Sequence, residues 1–273
     1  MSDKKKLGMI AGDGMMPVEI IKHCNKTGTE IFVAGIEPHA TEDRLKDAPH
    51  IFAKIGEAGK VIRAFRENNV QNIVMAGGIR RPSIKELIPD WEGAKIMARL
   101  AIRKMSDDNL LRAIISEAEK LGFRVIGVHE VLPELLFSEG VYGKVKPSPE
   151  DMDDIQRGMT VAKALGAVDV GQGCVVQEGM VLAVEAIEGT DMMLARAATL
   201  KKKGKAPILV KALKPVQDVR VDLPAIGLQT IIRLMEYGFK GIAVEAGASV
   251  FIESDAAISF ADEAGIFIIG MKI

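Results

Sequence analysis

The sequence contains few cysteines, few aromatic residues and almost no excess of either charge. Its two cysteines, Cys24 and Cys174, lie in apolar surroundings without metal-ligand spacing. We expect them to be reduced core residues of an intracellular protein, the alternative being a disulfide between them. The 36 basic and 37 acidic residues leave a net charge of -1, which argues against a general nucleic-acid-binding protein.

Long apolar segments are also missing. The charged segment 1–6 leads into only a short apolar stretch, Leu7 to Ala11, which is too short for a signal peptide. No apolar run approaches the roughly 20 residues that span a bilayer. We therefore expect a cytoplasmic protein, and composition leaves contact with a membrane surface open.

The hydrophobic pattern predicts two α/β domains. Up to residue 134, short apolar runs alternate with amphipathic helical segments, which is typical of a parallel, Rossmann-like sheet. Glycine, proline and polar residues then predict a linker over 135–147. From 148 to 273 we expect a mixed α/β domain that includes a hairpin at Glu178-Gly179. Hydrophobic residues make up 48% of the 273 residues, enough for such cores.

Two glycine-bearing loops follow predicted strands in the first half. In open α/β sheets such loops bind ligands, and an arginine beside glycine commonly clamps a phosphate. The first loop lacks the third glycine of the dinucleotide fingerprint and the Gly-Lys-Ser/Thr of a P-loop, so a tight structural turn fits it about as well. The candidate residues are Gly12, Asp13, Gly14, Gly77, Gly78 and Arg80.

The densest charged segment, residues 211–224, follows a predicted buried strand at Ile208–Val210. If residues 217–223 are extended, Asp218, Arg220 and Asp222 share one face because side chains alternate along a strand. Such a row could face a cleft and carry chemistry. The alternative is an amphipathic edge strand in which Arg220 pairs with both carboxylates. Lys211 and Lys214 precede this row.

Residues 188–191, Glu-Gly-Thr-Asp, come before a predicted helix that reaches Ala198. Thr190 suits the N-cap position, and both Thr190 and Asp191 favour a first helical turn. Alternatively, the Gly189 and Thr190 amides hold a phosphate while Asp191 or Glu188 reaches a cation. Glu245 is expected near the end of another strand.

Five stretches together resemble the LpxI type of UDP-2,3-diacylglucosamine pyrophosphatase: residues 7–14, 127–133, 169–173, 183–191 and 220–227. The resemblance covers nearly the whole chain, and the last two motifs are the most specific. It implies hydrolysis of UDP-2,3-diacylglucosamine to UMP and 2,3-diacylglucosamine 1-phosphate, a step of lipid A synthesis, with the substrate held between two domains. Asp13 departs from the small residue expected at its position.

The resemblance also implies a divalent cation, Mg²⁺ or alternatively Mn²⁺, and carboxylates are the ligands that Mg²⁺ prefers. It allows a homodimer and peripheral contact with the inner membrane. The expected catalytic residues are Asp222, Arg220, Lys214 and Asp191. The expected metal ligands are Asp222, Asp191 and Glu188. Besides the glycine-loop residues, the expected substrate-binding residues are Gln172, Gly189, Thr190, Lys211 and Glu245.

Two other functions fit parts of the sequence. A non-catalytic nucleotide or nucleotide-sugar sensor would use the glycine loops but leave the charged segment without a chemical purpose. A dinucleotide-dependent oxidoreductase lacks its third glycine. If the substrate is the diacylated one that the resemblance implies, its two acyl chains need an apolar environment. The stretches 181–183, 192–194, 231–232 and 234–235 are either ordinary core or the lining of a lipid cavity between the domains.

Overall fold

The structure is a computed structural model that describes residues 6–80, 89–100, 107–215, 218–220 and 223–272. The described residues divide into two compact units. The first comprises those within Met1–Pro133 and Asp218–Asp222, and the second those within Glu134–Gln217 and Leu223–Ile273. Within the part of the chain that is described, no helix is long and apolar enough to cross a membrane.

The first unit is built on a five-stranded, wholly parallel sheet in the order β3-β2-β1-β4-β5. The Rossmann-like parallel sheet is therefore confirmed. Its strands are β1 Lys6–Ala11, β2 Ile31–Glu37, β3 His50–Lys54, β4 Val70–Ala76 and β5 Arg124–Ile126. Its helices are α1 Met16–Thr27, α2 Glu42–Leu45, α3 Ala58–Glu67, α4 Trp91–Leu100, α5 Asp107–Lys120 and α6 Val128–Val131.

Sequence reasoning missed β3, which lies at the edge of this sheet. Its five residues pair only with β2, and most remain partly exposed, so the apolar signal is weak. Central strands give a stronger signal because both faces are covered: the consecutive residues Leu7, Gly8 and Met9 of β1 are all buried. Phe65 of α3 covers one face of the sheet, in edge contact with Phe32 at 6.3 Å between ring centroids.

The second unit contains a six-stranded mixed sheet in the order β6-β13-β11-β9-β7-β8 and a separate parallel pair, β10 and β12. The mixed α/β architecture is confirmed. The strands are β6 Gly140–Tyr142, β7 Gly173–Gln177, β8 Met180–Val184, β9 Ile208–Lys211, β10 Ala225–Ile226, β11 Gly241–Glu245, β12 Val250–Phe251 and β13 Phe267–Met271. The helices are α7 Pro149–Ala167, α8 Gly189–Thr199, α9 Leu228–Glu236 and α10 Ser254–Ala264, and Pro133–Leu135 forms a 3-10 turn.

The predicted hairpin is confirmed, with β7 and β8 paired antiparallel. Glu178 and Gly179 both have positive φ, 46° and 78°, as the favoured two-residue hairpin turns require. The segment 135–147, predicted as a linker, contains β6, which pairs with β13.

Helices cover both faces of the second sheet. On one face α7 packs closely on β9, since a Cβ at Gly158 would lie 2.4 Å from Val210 Cγ2. On the other face α8, α9 and α10 contribute Leu194, Ile231 and Ala257 to the larger core.

Both cysteines are free and buried, as predicted. Burial raises the pKa of Cys24 to about 11, and burial with the charge of Glu185 raises the pKa of Cys174 to about 12.

Candidate active site

The two glycine loops meet at the switch point of the first sheet. Chain order runs from β1 towards β3 on one side and from β4 to β5 on the other, so β1 and β4 end side by side. Asp13 N donates to Gly78 O at 2.8 Å, and Gly78 N donates to Asp13 O at 3.0 Å. The structure therefore joins two loops that the sequence predicted separately, in the crevice where such sheets bind ligands.

Two of these glycines are required by the contact between the loops. A Cβ at Gly12 would lie 2.4 Å from Gly78 O, and one at Gly77 would lie 2.4 Å from Asp13 O. At Gly14 and Gly78 a Cβ would meet nothing within 4 Å. The pair of loops therefore leaves backbone approachable at the second glycine of each.

The Asp13 carboxylate, expected to bind substrate, is already bound by groups of the protein itself. Its carboxylate accepts hydrogen bonds from Arg44 Nη1 and from Gly14 N, the latter at 2.7 Å. These two bonds, the arginine first, hold the pKa of Asp13 below its usual value. The negative charge in this loop is thus balanced by Arg44, which sequence reasoning did not select. Arg80 lies at the exposed end of the other loop.

The second group of predicted residues lies at one edge of the second sheet. Strands β9 and β11 are parallel and pair Lys211 with Val244, so Glu245 comes one residue further on. Strand β7 runs the opposite way and begins beside the end of β9, with Gly173 opposite Lys211. Gln172, just before β7, accepts a backbone hydrogen bond from Ala212 at 2.9 Å. Topology thus brings together residues from three distant parts of the chain.

Lys211 forms a buried cluster with Thr190 and Glu185. Its Nζ donates to Thr190 Oγ1 at 2.6 Å and lies 3.9 Å from Glu185 Oε1. The Thr190 hydroxyl in turn donates to the same carboxylate oxygen at 2.6 Å. Lys211 and Glu185 are 5% and 6% exposed, so the charges meet away from water. Glu185 was missed, although it lies inside the 183–191 motif.

The prediction that Thr190 caps α8 is wrong. The helix begins at Gly189, and Glu188 occupies the N-cap position without a side-chain cap. Thr190 is the second helical residue, and its hydroxyl is used by the cluster with Lys211 instead of the helix end. Gly189 has φ of 77°, a left-handed conformation that favours glycine where the chain turns into the helix.

Glu245 and Lys214 each pair with a side chain that the sequence did not indicate. Lys163 Nζ of α7 lies 2.6 Å from Glu245 Oε2, which also accepts from Leu213 N at 2.8 Å. Lys214 Nζ lies 3.0 Å from Asp169 Oδ1. Glu245 therefore anchors the chain just after β9. A lysine on a long helix carries no sequence signal for such a role, whereas Asp169 lies in a family motif.

The predicted metal ligands do not gather into a site that can be described. Glu188 Oε1 lies 2.5 Å from Arg196 Nη2, and this bond lowers the pKa of Glu188. Asp191 is exposed in the first turn of α8. Asp222 lies outside the described residues. Among the residues that are described, no group of three or more histidine, cysteine or acidic side chains could hold a metal ion.

Arg220 lies in the first unit with its guanidinium held by two carboxylates. It donates to both oxygens of Asp218, at 3.0 Å from Nε and 2.8 Å from Nη2, and from Nη1 to Glu119 at 2.8 Å. Val219 and Arg220 form a turn, closed by a 3.0 Å bond from Arg220 N to Asp218 Oδ1. The expected extended row is wrong for these residues, because Asp218 bonds the backbone two residues on, as turn aspartates do.

The stretches proposed to line a lipid cavity are mainly core. Ala183, Met193, Leu194, Ile231 and Leu234 are all at most 4% exposed and pack together in the larger core of the second unit. Val181, Leu182 and Ile232 are partly buried. Met192, 65% exposed, and Met235, 45% exposed, lie at the surface.

Comparison with known proteins matches one family along the chain. The model for the LpxI N-terminal domain matches residues 6–135, and the model for the LpxI C-terminal domain matches residues 138–269. A protein of Caulobacter vibrioides described as UDP-2,3-diacylglucosamine pyrophosphatase LpxI is 42% identical over 274 residues. The match covers 98% of this chain and 98% of that protein.

Solved structures resemble the chain only distantly. Precorrin-6A reductase CobK is 9% identical with a TM-score of 0.33, covering 98% of this chain and 89% of that one. WbmG of Bordetella bronchiseptica in complex with NAD is 12% identical with a TM-score of 0.34, covering 97% and 96%. At such TM-scores these likenesses carry no argument about function.

Proposed function

The chain belongs to the LpxI family, and we propose that it hydrolyses the pyrophosphate bond of UDP-2,3-diacylglucosamine to UMP and 2,3-diacylglucosamine 1-phosphate. The observation that carries this proposal is the 42% identity to a pyrophosphatase of that description across 98% of both chains. No observation favours the sensor alternative.

Lys211, which ends β9, and Lys214, just after this strand, suit a pyrophosphate substrate. Hydrolysis of a phosphoric anhydride depends mainly on positioning and on stabilising negative charge. Lys211 and Lys214 are both largely buried and held by carboxylates before any ligand binds. Charges oriented in advance and shielded from water stabilise developing negative charge better than solvated ones. We assign these two ammonium groups to the phosphate oxygens.

The joined glycine loops of the first unit suit the nucleotide portion of the substrate. Backbone N–H groups in glycine-rich turns at a switch point are a common site for phosphate groups. Gly14 N and Gly78 N already donate within the loops, to Asp13 Oδ1 and Asp13 O. Since no side chain would obstruct these two glycines, we assign to them close approach of the nucleotide, and to Gly12 and Gly77 a structural role.

We further propose that activity requires Mg²⁺, with Mn²⁺ as a substitute. Mg²⁺ is usually bound by one or two carboxylates together with substrate phosphates, so a preformed cage is unnecessary. The exposed carboxylate of Asp191 fits this requirement, and Asp222 would be the second ligand. Glu188 fits less well because Arg196 already neutralises it. A bound divalent cation would supply charge neutralisation at the phosphates.

The experiment that tests the function is incubation of the purified protein with MgCl₂ and UDP-2,3-diacylglucosamine. We expect UMP and 2,3-diacylglucosamine 1-phosphate to form in equal amounts, as measured by chromatography and mass spectrometry. Dialysis against EDTA should abolish turnover, and added Mg²⁺ or Mn²⁺ should restore it. Intact substrate after prolonged incubation would contradict the hydrolase. Full turnover in excess EDTA would contradict only the metal requirement.

The two acyl chains of the substrate also need an apolar surface on the protein. Ile187 is fully exposed and Met192 is 65% exposed, and they flank the segment 188–191. Acyl chains leave water most favourably against apolar side chains, and these two are not already used by the core. We propose that they contact the acyl chains, either in the substrate alone or at the surface of the inner membrane.

A further inference from the structure

Glu185 is a buried carboxylate to which the proposed reaction gives no role so far. It follows β8 directly and is 6% exposed. Acidic side chains are almost never buried unless they are paired, because removing the charge from water is costly. Its partners therefore indicate its role.

The hydrogen-bond directions around Glu185 are determined by chemistry. A threonine hydroxyl has one hydrogen, and here it is donated to Glu185 Oε1 at 2.6 Å. The hydroxyl oxygen then accepts from Lys211 Nζ, also at 2.6 Å. Thr190 thus donates its one hydrogen to the carboxylate, accepts from the ammonium group, and so transmits the position of the carboxylate to the ammonium.

The backbone around the carboxylate is built to admit it. A Cβ at Gly173 would lie 2.7 Å from Glu185 Oε2, and one at Gly171 would lie 1.9 Å from Glu185 O. Oε2 is itself buried and has no hydrogen-bond partner among the described residues, and the same holds for Oε1 of Gln172. A buried oxygen left without a donor costs stability, so the carboxylate is retained for a reason other than stability.

We propose that Glu185 is a positioning residue which, directly and through Thr190, keeps the Lys211 ammonium charged and oriented towards a phosphate of the substrate. An ammonium group has three N–H donors, and among the described residues Thr190 is its one hydrogen-bond acceptor. The others are left for an anionic ligand. This role rests on the proposed pyrophosphatase activity.

The other ionisable groups near this edge do not replace Glu185. The Cys174 thiol, on the neighbouring strand β7, is buried and has a pKa of about 12, so it stays neutral at physiological pH. Asp169 is paired with Lys214, and Glu245 with Lys163. Among the residues that the structure describes, Glu185 is therefore the carboxylate whose charge acts on Lys211.

The first test replaces the charge and keeps the shape. In Glu185→Gln the side-chain carbonyl still accepts from Thr190, but Lys211 loses its counter-charge. Without the counter-charge, the buried ammonium loses the interaction that stabilises and orients it. We expect kcat/KM to drop about tenfold or more. Glu185→Asp, which keeps the charge, should lose less activity than Glu185→Gln.

A matched control is Glu263→Gln, the same substitution on the exposed side of α10 in the same unit. It should leave the rate unchanged. A folded Glu185→Gln protein with a normal rate would overturn the proposal.

A second comparison covers the case in which Glu185→Gln folds poorly, since an unpaired buried lysine is destabilising. The double variant with Lys211→Met removes both charges. If Glu185 acts through Lys211, adding Glu185→Gln to Lys211→Met should change kcat/KM by less than about twofold, because residues acting as a unit are not additive. If the loss of kcat/KM in the double variant equals the product of the losses in the two single variants, the proposal is overturned.

A measurement without turnover separates this inference from the proposed function. The Lys211 ammonium can be observed by NMR in protein with ¹⁵N-labelled lysine, its signal assigned by its absence in Lys211→Met. Added inorganic pyrophosphate should shift this signal in the wild type, and Glu185→Gln should need about tenfold more pyrophosphate for the same shift. An equal response of the two proteins would refute the positioning role even in an active enzyme. If the responses differ but wild-type protein releases no UMP, the positioning role stands and the pyrophosphatase proposal fails.

Discussion

At the residue scale, the charged side chains at the end of β9 and β11 each face an opposite charge. Lys211 lies near Glu185, Lys214 near Asp169, and Glu245 near Lys163. A polyanionic substrate would therefore meet lysines whose positions are already determined by the protein. Such preorganisation avoids the cost of reorienting charges during the reaction.

Asp222 is the residue on which we expect turnover to depend most. It lies in the 220–227 motif, and its carboxylate is a candidate both to bind the cation and to orient water. Asp222→Ala should lower kcat by about 10²–10⁴ while the protein stays folded and still binds substrate. Single-turnover kinetics with a substrate-binding assay and a melting curve check this. Near-normal turnover by a folded variant would remove Asp222 from the mechanism.

Asp218 should make stability depend on pH in one direction. Its bond to Arg220 lowers its folded pKa below the ordinary value of 3.8. The stabilisation is therefore present above the unfolded pKa and is lost as pH falls through the folded one. Wild-type protein should melt higher than Asp218→Asn at pH 7, and the difference should shrink as pH falls below about 4. A difference that stays constant from pH 7 to pH 3 would contradict this.

At the element scale, the loops after β1 and β4 behave as one structure because their backbones are bonded to each other. The contact depends on the absence of side chains where carbonyl groups approach. Strands β1 and β4 are parallel and end in register, with Ala11 opposite Ala76, so both loops leave the same edge of the sheet.

Replacing Gly12 should disrupt this contact, whereas replacing Gly78 should not. In Gly12→Ala the new Cβ would lie 2.4 Å from Gly78 O, so the loops must separate. We expect a loss of about 1–3 kcal/mol in the free energy of unfolding, as for other substitutions that overpack. Gly78→Ala, with open space around its Cβ, should unfold like the wild type. Equal denaturant midpoints for the two variants would show that the loop contact is unimportant.

At the scale of the whole molecule, the protein must combine a water-soluble nucleotide with two acyl chains. Each CH₂ group removed from water contributes about 0.8 kcal/mol, so even partial contact with the chains matters. The core stretches are unavailable for this contact, because residues such as Met193 and Leu194 are already fully buried.

The exposed side chains beside α8 should therefore affect only lipid recognition. Changing Ile187 and Met192 to serine should raise KM for the diacylated substrate several-fold and leave the melting temperature unchanged, because neither is buried. A substrate analogue without acyl chains should be turned over equally by both proteins. An unchanged KM for the diacylated substrate would place the chains elsewhere.

Much of the fold could be predicted because an element with one buried face shows a regular hydrophobic periodicity in its sequence. The parallel sheet, the hairpin at Glu178-Gly179, the mixed second half and Glu245 at a strand end all follow from local patterns. The family also followed from sequence, since its motifs are contiguous segments. The edge strand β3 was missed because half-exposed residues carry little apolar signal.

What the sequence determined by itself is thus the set of elements, the family and the residue types available for chemistry. Only the tertiary structure decided which charges meet. Glu185 and Lys211 are 26 positions apart by number, and Lys163 and Glu245 are 82 apart. Residues so distant in sequence become partners only when the fold brings together the strands and helices that carry them. For the same reason Thr190, which the sequence predicted to cap a helix, instead links a buried lysine to a buried carboxylate.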